Sequence, residues 1–162
     1  MPAPSARTVE ESRSSVVRLM VPTDANFTGN VFGGALLADM DRVAYVTATR
    51  HAKANCVTAS FDRVDFLAPA HVGDLVDFDA AITYVGRSSM EVWVRIRAEG
   101  LRGTDAPRMI AQAFVTMVAL DADGRPTPVP ALALGSDDER QRFEAGRARM
   151  ESRRRSRDDG GG

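Results

Sequence analysis

Two histidines, His51 and His71, and one cysteine, Cys56, are all that this sequence holds of the side chains most often used as metal ligands or strong nucleophiles. There is no HExxH spacing, no GxSxG elbow, and no Walker or GxGxxG loop, so the motif-borne forms of zinc, serine and phosphate chemistry are excluded. If the chain is an enzyme, carboxylates and amides must carry much of the work. The stretch from Thr23 to Asp41 supplies a set of that kind: Asn26, the glycine pair Gly33–Gly34, and the carboxylate of Asp41. A carboxylate can activate water or attack a carbonyl directly. Backbone N–H groups at the start of a helix are unpaired donors with a favourable dipole, suited to a developing oxyanion. Glycines at 33 and 34 let a substrate approach that backbone closely, and Asn26 can orient water or the carboxylate by hydrogen bonds. Each residue also has a plainer reading. Asp41 can be a solvated helix carboxylate, Asn26 a turn or capping residue, and the glycines a turn into a helix.

The elements that would position this set follow from periodicity. Residues Met1 to Ser12 are polar and carry Pro and Ser, which predicts disorder. Val16 to Met20 is a short apolar run, and Thr23 to Gly34 is loop-like. From Ala35 to about Ala52, Leu36, Leu37, Met40, Val43, Ala44, Thr47 and Ala48 recur at helical spacing. At roughly 100° per residue, Asp41 falls about 90° from the centre of that stripe, on the border between buried and open surface. Asp39, two residues earlier, is expected to be structural.

Beyond the helix the period changes to two. Val57 to Leu67 switches its apolar face between Phe61 and Val64, which predicts a bulge near Asp62–Arg63. Val76 to Tyr84 and Met90 to Ala98 alternate around Gly86-Arg87-Ser88 as a hairpin, and Met109 to Leu120 reads as a central strand. One helix cannot cover both faces of such a sheet, so the other face or an edge should be buried by a partner. Pro126 to Pro130 reads as a rigid linker. Asp137 to Arg155 reads as a surface helix ending in a solvated tail. The expected organisation is therefore a disordered 1–12, one domain over 13–130, and a C-terminal helix with polar tail over 131–162. Trp93 is expected to cover an apolar surface, His51 to end a helix as its cation, and Cys56 to be an ordinary strand residue.

Length and charge narrow the class. The chain has 162 residues, enough for one domain with a real core. A formal net charge of -1 points to neither nucleic acid nor an anionic membrane. No run has the roughly 18 apolar residues of a membrane span, and the opening lacks the apolar core of a signal peptide. A cytoplasmic protein is the expectation.

The run Asp24-Ala25-Asn26-Phe27-Thr28-Gly29-Asn30-Val31-Phe32-Gly33-Gly34, followed by Leu36-Leu37 and Met40-Asp41, resembles the signature of hotdog-fold acyl-CoA hydrolases. The resemblance is to the branch of broad-range bacterial and brain-type acyl-CoA thioesterases. It continues through Phe61-Asp62-Arg63-Val64-Asp65-Phe66-Leu67-Ala68-Pro69, Val72-Gly73-Asp74 and Val85-Gly86-Arg87-Ser88-Ser89. It implies an α+β hotdog: a long central helix wrapped by a mainly antiparallel five- or six-stranded sheet, paired edge to edge into a double hotdog. It further implies hydrolysis of acyl-CoA to free acid and CoA, without metal or other cofactor. The catalytic acid would be Asp41 and the catalytic asparagine Asn26, contributed by opposite subunits of a homodimer. Gly33 and Gly34 would hold the oxyanion. Arg87, Ser88 and Ser89 would meet CoA phosphates, and the dimers would assemble as a hexamer. Two other readings share the fold. A hydratase or dehydratase would use a His paired with an acid, and neither His51 nor His71 stands in such a motif. A non-catalytic acyl-CoA sensor has no need to keep both Asn26 and Asp41.

Overall fold

The computed structural model describes residues 5–159. A two-residue strand β1 (Arg7–Thr8) and a single-turn helix α1 (Val9–Ser12) precede β2 (Ser14–Leu19). A 3-10 turn at Pro22–Asp24 leads into the loop before the long helix α2 (Gly33–Ala52). Then come β3 (Asn55–Phe66), β4 (Asp74–Val85), β5 (Ser89–Gly100) and β6 (Arg108–Leu120), and finally β7 (Leu132–Ala133) and α3 (Asp137–Asp159).

The long strands and β2 form one antiparallel sheet in the order β2-β4-β5-β6-β3. Register aligns the apolar half of each alternating strand into rows, Phe78 opposite Ile96 opposite Ala111, and Ile82 opposite Val92 opposite Val115. These rows face the α2 stripe of Leu36, Met40, Val43, Ala44, Thr47 and Ala48, all buried. Side chains of the larger kind here each stabilise the fold by about 1.5–3 kcal/mol. Helix α2 ends where Lys53 turns left-handed (φ 53°, ψ 30°), its N–H closing on the Thr49 carbonyl. The predicted bulge is present. The β3–β6 register shifts between Phe61 and Arg63, and again between Thr58 and Ser60.

Three expectations need correction. The N-terminal stretch is ordered from Arg7 onward. Thr8 and Glu11 form a capping box, with the Thr8 N–H on Glu11 Oε2 (2.6 Å) and the Glu11 N–H on Thr8 Oγ1 (3.3 Å). Arg7–Thr8 pairs in parallel with Leu132–Ala133, so the 126–133 segment is stitched to the N-terminus. The first four residues lie outside the described ones.

His51 is not a charged helix end. It is fully buried, with Nε2 2.9 Å from the carbonyl of Pro130, to which it donates. Desolvation pushes its pKa below the ordinary histidine value, only partly offset by the Pro130 bond. The folded protein therefore refuses a proton that the unfolded chain accepts. Stability is fully present above about pH 6.5 and falls as pH drops below it, by about 1.4 kcal/mol per unit at most. His51→Gln keeps a donor for Pro130 but cannot titrate. Urea unfolding at pH 7.5 and 5.5 should show the wild type losing more stability than this variant; equal losses would clear His51 of any part.

The third correction concerns the outer face of the sheet. Much of that face is covered by α3 of the same chain, which leaves the edge at β3, the other half of the expectation, as the place for a partner. Phe143 packs on Tyr84 of β4 (centroids 4.9 Å apart), and Arg149 binds the fully buried Glu91 of β5 through two hydrogen bonds (2.9 and 2.8 Å). Arg153 reaches Asp62 of β3 at 2.8 and 2.9 Å. Gly146 makes this approach possible, because a Cβ there would stand 2.7 Å from Tyr84 Cβ and 2.8 Å from Glu91 Oε1. Trp93 does cover apolar surface, stacking on Phe114 (6.1 Å) with Arg95 and Arg142 over its ring.

Candidate active site

Asp41 lies on the side of α2 that meets β3. Its Oδ1 accepts a 2.5 Å hydrogen bond from the Thr58 hydroxyl, a charge-assisted contact that orients the carboxylate and leaves Oδ2 open. Thr58 sits next to the β3 bulge, where the strand loses regular pairing with β6. Sequence reasoning passed over Thr58. An isolated Thr in a strand carries no signal, and only the docking of α2 against β3 brings its hydroxyl to the acid.

The preceding loop is a tight hairpin closed by the Ala25–Val31 bridge, with Gly29 at φ 82°. Asn26 organises it. Its Oδ1 accepts from the Thr28 N–H (2.9 Å), the Thr28 hydroxyl (2.7 Å) and the Asn30 N–H (3.2 Å). That occupies the amide oxygen in the turn, and the side-chain NH₂ has no partner among the described residues. The capping role and a catalytic role are thus compatible in one side chain. Within the chain no hydrogen bond joins Asn26 to Asp41.

Gly33 opens α2, and Phe32 before it supplies no side-chain cap. The N–H groups of Gly33 and Gly34 take no backbone partner in the loop, so they are open donors at the positive end of the helix. A Cβ at Gly33 would meet the Phe66 ring at 3.3 Å. An apolar groove of about 440 Å³ begins here, lined by Val31, Gly33, Leu36, Phe66, Leu67 and Ala68 among others. Asp41 stands seven residues beyond Gly34, about 10 Å along the helix axis.

This geometry depends on charges elsewhere. Arg18 of β2 pairs with Asp24 (2.5 Å) at the root of the Asn26 loop and with Asp39 of α2, while Arg42 also holds Asp39 at 2.6 Å. Asp24 additionally accepts from the Val21 N–H at 2.9 Å. Burial raises the Asp24 carboxyl, but the Val21 N–H and the Arg18 guanidinium together outweigh it and hold it below its ordinary value. Asp39 is held in ion pairs by Arg18 and Arg42, and the network ties the loop to the helix.

Arg87, Ser88 and Ser89 form the β4–β5 hairpin tip. Their carbonyls are engaged with Val129, Ala119 and Gly86, and the Arg87 side chain is exposed. Ser89 lies opposite Val118, and Val118 opposite Val57, so the tip is level with Thr58's end of β3, about 10 Å away across two strand spacings. Cys56 is buried and its thiol is pushed up by desolvation, consistent with an ordinary strand residue. Among the described residues no cluster of His, Cys, Asp and Glu could hold a metal ion, and no helix is long and apolar enough to cross a membrane.

A model of the thioesterase superfamily matches residues 28–104. A Bacillus subtilis protein named as an uncharacterized acyl-CoA thioester hydrolase is 39% identical over 139 residues, covering 86% of this chain and 80% of that protein. The human cytosolic acyl coenzyme A thioester hydrolase is 37% identical over 147 residues, 90% of this chain but only 39% of that longer protein. Among solved structures, an apo-hexameric acyl-CoA thioesterase superposes with TM-score 0.89 at 40% identity, over 94% of this chain and 97% of that one. The Staphylococcus aureus acyl-CoA hydrolase, solved with butyryl coenzyme A, coenzyme A and coenzyme A disulfide, gives TM-score 0.87 at 37% identity over 95% and 93%. With fold, motif and relatives in agreement, the chain belongs to the thioesterase superfamily, among its hotdog-fold acyl-CoA hydrolases.

Proposed function

We propose that this protein hydrolyses acyl-CoA thioesters to the free acid and CoA, with Asp41 as general base or nucleophile and Asn26 as its partner across a subunit interface. The observation that carries the site is the Asp41 carboxylate held by Thr58 beside an open strand edge. Staphylococcus aureus hydrolase variants in which one Asn, one Asp and one Thr are each replaced by Ala have been solved, and those three residues are spaced as Asn26, Asp41 and Thr58 are here. That correspondence supports the same three residues as one functional set.

The chemistry follows from their types. The thioester carbonyl is polarised by N–H donors at Gly33 and Gly34. Water activated by Asp41 Oδ2, which takes one of its protons, adds to the carbonyl carbon, the C–S bond breaks, and the thiolate of CoA leaves with the proton returned by Asp41. If the carboxylate itself adds, the thiolate leaves an acyl anhydride on Asp41, and water then hydrolyses it to the free acid, restoring the carboxylate and supplying the proton. Oxyanion donors must lie within about 3 Å of the oxygen they stabilise, whereas Gly34 and Asp41 of one helix are about 10 Å apart. This separation favours a site that takes Gly33, Gly34 and Asn26 from one subunit and Asp41 with Thr58 from the other.

Pairing in turn is favoured by the long unpaired edge of β3 and by exposed Phe27, Phe32, Tyr45, Val46, Val57, Phe66 and Leu67. A homodimer built this way would give the double hotdog, and hexameric neighbours support a trimer of dimers. No cofactor or metal is required by this chemistry. Contacts of Arg87, Ser88 and Ser89 with CoA phosphates, and residence in the cytoplasm without nucleic-acid or membrane partners, complete the reading.

Thiol release from a graded series of acyl-CoA substrates tests the activity, and absence of release from every chain length would reject it. Mixing tests the shared site. Asn26→Ala and Asp41→Ala proteins should each be inactive, yet random re-pairing should restore about a quarter of wild-type turnover. No recovery in hybrids that demonstrably form would place both residues in one subunit's site.

A further inference from the structure

Strand β3 carries two inserted residues close together. Thr58 pairs with Met117, Ser60 with Thr116, Phe61 with Val115 and Arg63 with Phe114, so Ala59 and Asp62 have no partner on β6. In a regular strand Thr58, Ser60 and Asp62 would share one face. Here they do not. Thr58 turns inward, to the Asp41 carboxylate and to the buried Met117 sulfur at 3.5 Å, whereas Ser60 and Asp62 turn outward to α3. The insertion at Ala59 is what separates the two directions.

On the outer side a closed network grips this bulge. The Arg153 guanidinium of α3 lies 2.8 and 2.9 Å from the two Asp62 carboxylate oxygens and 2.5 Å from Ser60 Oγ, and it also donates to the Thr116 hydroxyl. Those two hydroxyls in turn donate to Asp62, each at 2.7 Å. The side chains of Arg153 and Asp62 are only 21% and 17% exposed. Burial raises the Asp62 carboxyl, but the bonds from Ser60, Thr116 and Arg153 outweigh it and hold it below its ordinary value.

Arg149, one turn earlier on α3, makes an anchor of a different kind. It holds Glu91 on β5, a strand whose register is fixed by a neighbour on each side. Within this chain β3 has β6 alone beside it, and its ladder is interrupted at the place from which Thr58 must point. A slip of one residue turns every side chain to the other face. Side chains have to fix what the ladder leaves loose.

We infer that Arg153 is a positioning residue: by clamping Ser60, Asp62 and Thr116 from behind, it fixes the β3 bulge so that Thr58 presents its hydroxyl to Asp41. The inference rests on the reading of Asp41 as the catalytic acid. It makes α3 part of the catalytic scaffold, although the helix lies on the opposite face of the sheet from Asp41.

The test compares Arg153→Ala with the paired variant Asp62→Leu, Arg153→Met, which strands no charge and should recover most of the stability that the single variant loses. Both should release thiol from butyryl-CoA with kcat about tenfold below wild type and KM within about twofold, because a misplaced Thr58 loosens the acid and leaves substrate binding alone. In a Thr58→Ala background, Arg153→Ala should lower kcat no further, since the group it positions is gone. Oligomeric mass should be unchanged throughout. A kcat near wild type would overturn the assignment. So would a kcat that returns with stability in the paired variant, an equal loss in the Thr58→Ala background, or a fall in oligomeric mass, each of which leaves Arg153 a structural anchor. Hydrogen exchange needs no turnover, and in the paired variant it should quicken about tenfold over 55–66 while β5 holds its rate. A wild type that releases no thiol from any acyl-CoA would sink the hydrolase reading, whereas unchanged exchange over 55–66 would sink the clamp by itself.

Discussion

Asp41→Ala is expected to lower kcat for acyl-CoA hydrolysis by about a thousandfold while the protein stays folded. Positioned proton transfer supplies typically 10²–10⁴ in rate, and about 10³ corresponds to roughly 4 kcal/mol of transition-state stabilisation. Asp41 is half-buried at the helix border and holds no ion pair among the described residues, so removing it deletes one bond from Thr58 and little else. KM should change only a few-fold, since in the proposed mechanism the carboxylate would act on the reacting carbon and not on the CoA handle. Thr58→Ala should sit between the two, cutting kcat about tenfold by loosening the carboxylate. Asp39→Asn is the control. That acid holds Arg18 and Arg42, so its loss should lower the melting temperature and leave kcat near wild type. If Asp41→Ala retained more than a tenth of wild-type kcat, another group would have to be the base.

Arg149→Ala should destabilise the fold by about 3–5 kcal/mol and free α3 from the sheet. Glu91 is fully buried, and its two oxygens are held by Arg149, with Thr83 adding a 2.7 Å bond. Removing the arginine leaves a buried carboxylate without its counter-charge, which is far costlier than losing a surface pair. Urea unfolding gives the size of the loss, and hydrogen exchange over 137–159 shows whether it is centred on α3. The compensated double variant, Glu91→Leu with Arg149→Met, should recover most of it because no charge is then stranded. A single-variant loss below about 1 kcal/mol would mean that the pair behaves as an exposed one. A double variant no better than the single would assign the loss to packing around Gly146 and Phe143.

The two experiments probe parts of the molecule that differ in how far they can be read from sequence. The α2 stripe, the period-two strands and the bulge near Asp62–Arg63 are local patterns, because side-chain direction repeats every 3.6 or two residues and each burial choice shows in neighbouring letters. The Thr8–Glu11 capping box was equally legible, as a T-x-x-E spacing at a segment read only for its polarity. By contrast, α3 disguises its docking face. It binds the sheet through arginines, a glycine and two apolar side chains, a composition that also describes a solvated helix. Whether Arg149 is solvated depends on Glu91, which lies 58 residues away in sequence.

Periodicity in the sequence was enough for the order of the main elements, and the family resemblance of its motifs for the hotdog class and the candidacy of Asn26, Gly33, Gly34 and Asp41, because both are properties of neighbouring residues. The folded contacts show what no local pattern could: Thr58 bonds the Asp41 carboxylate, Arg18 ties the Asn26 loop to α2, and His51 is buried against the Pro130 carbonyl. They also show that α3 covers much of the outer face. These are contacts between distant segments, set by strand order and helix docking, and no local pattern of residues encodes which of them meet.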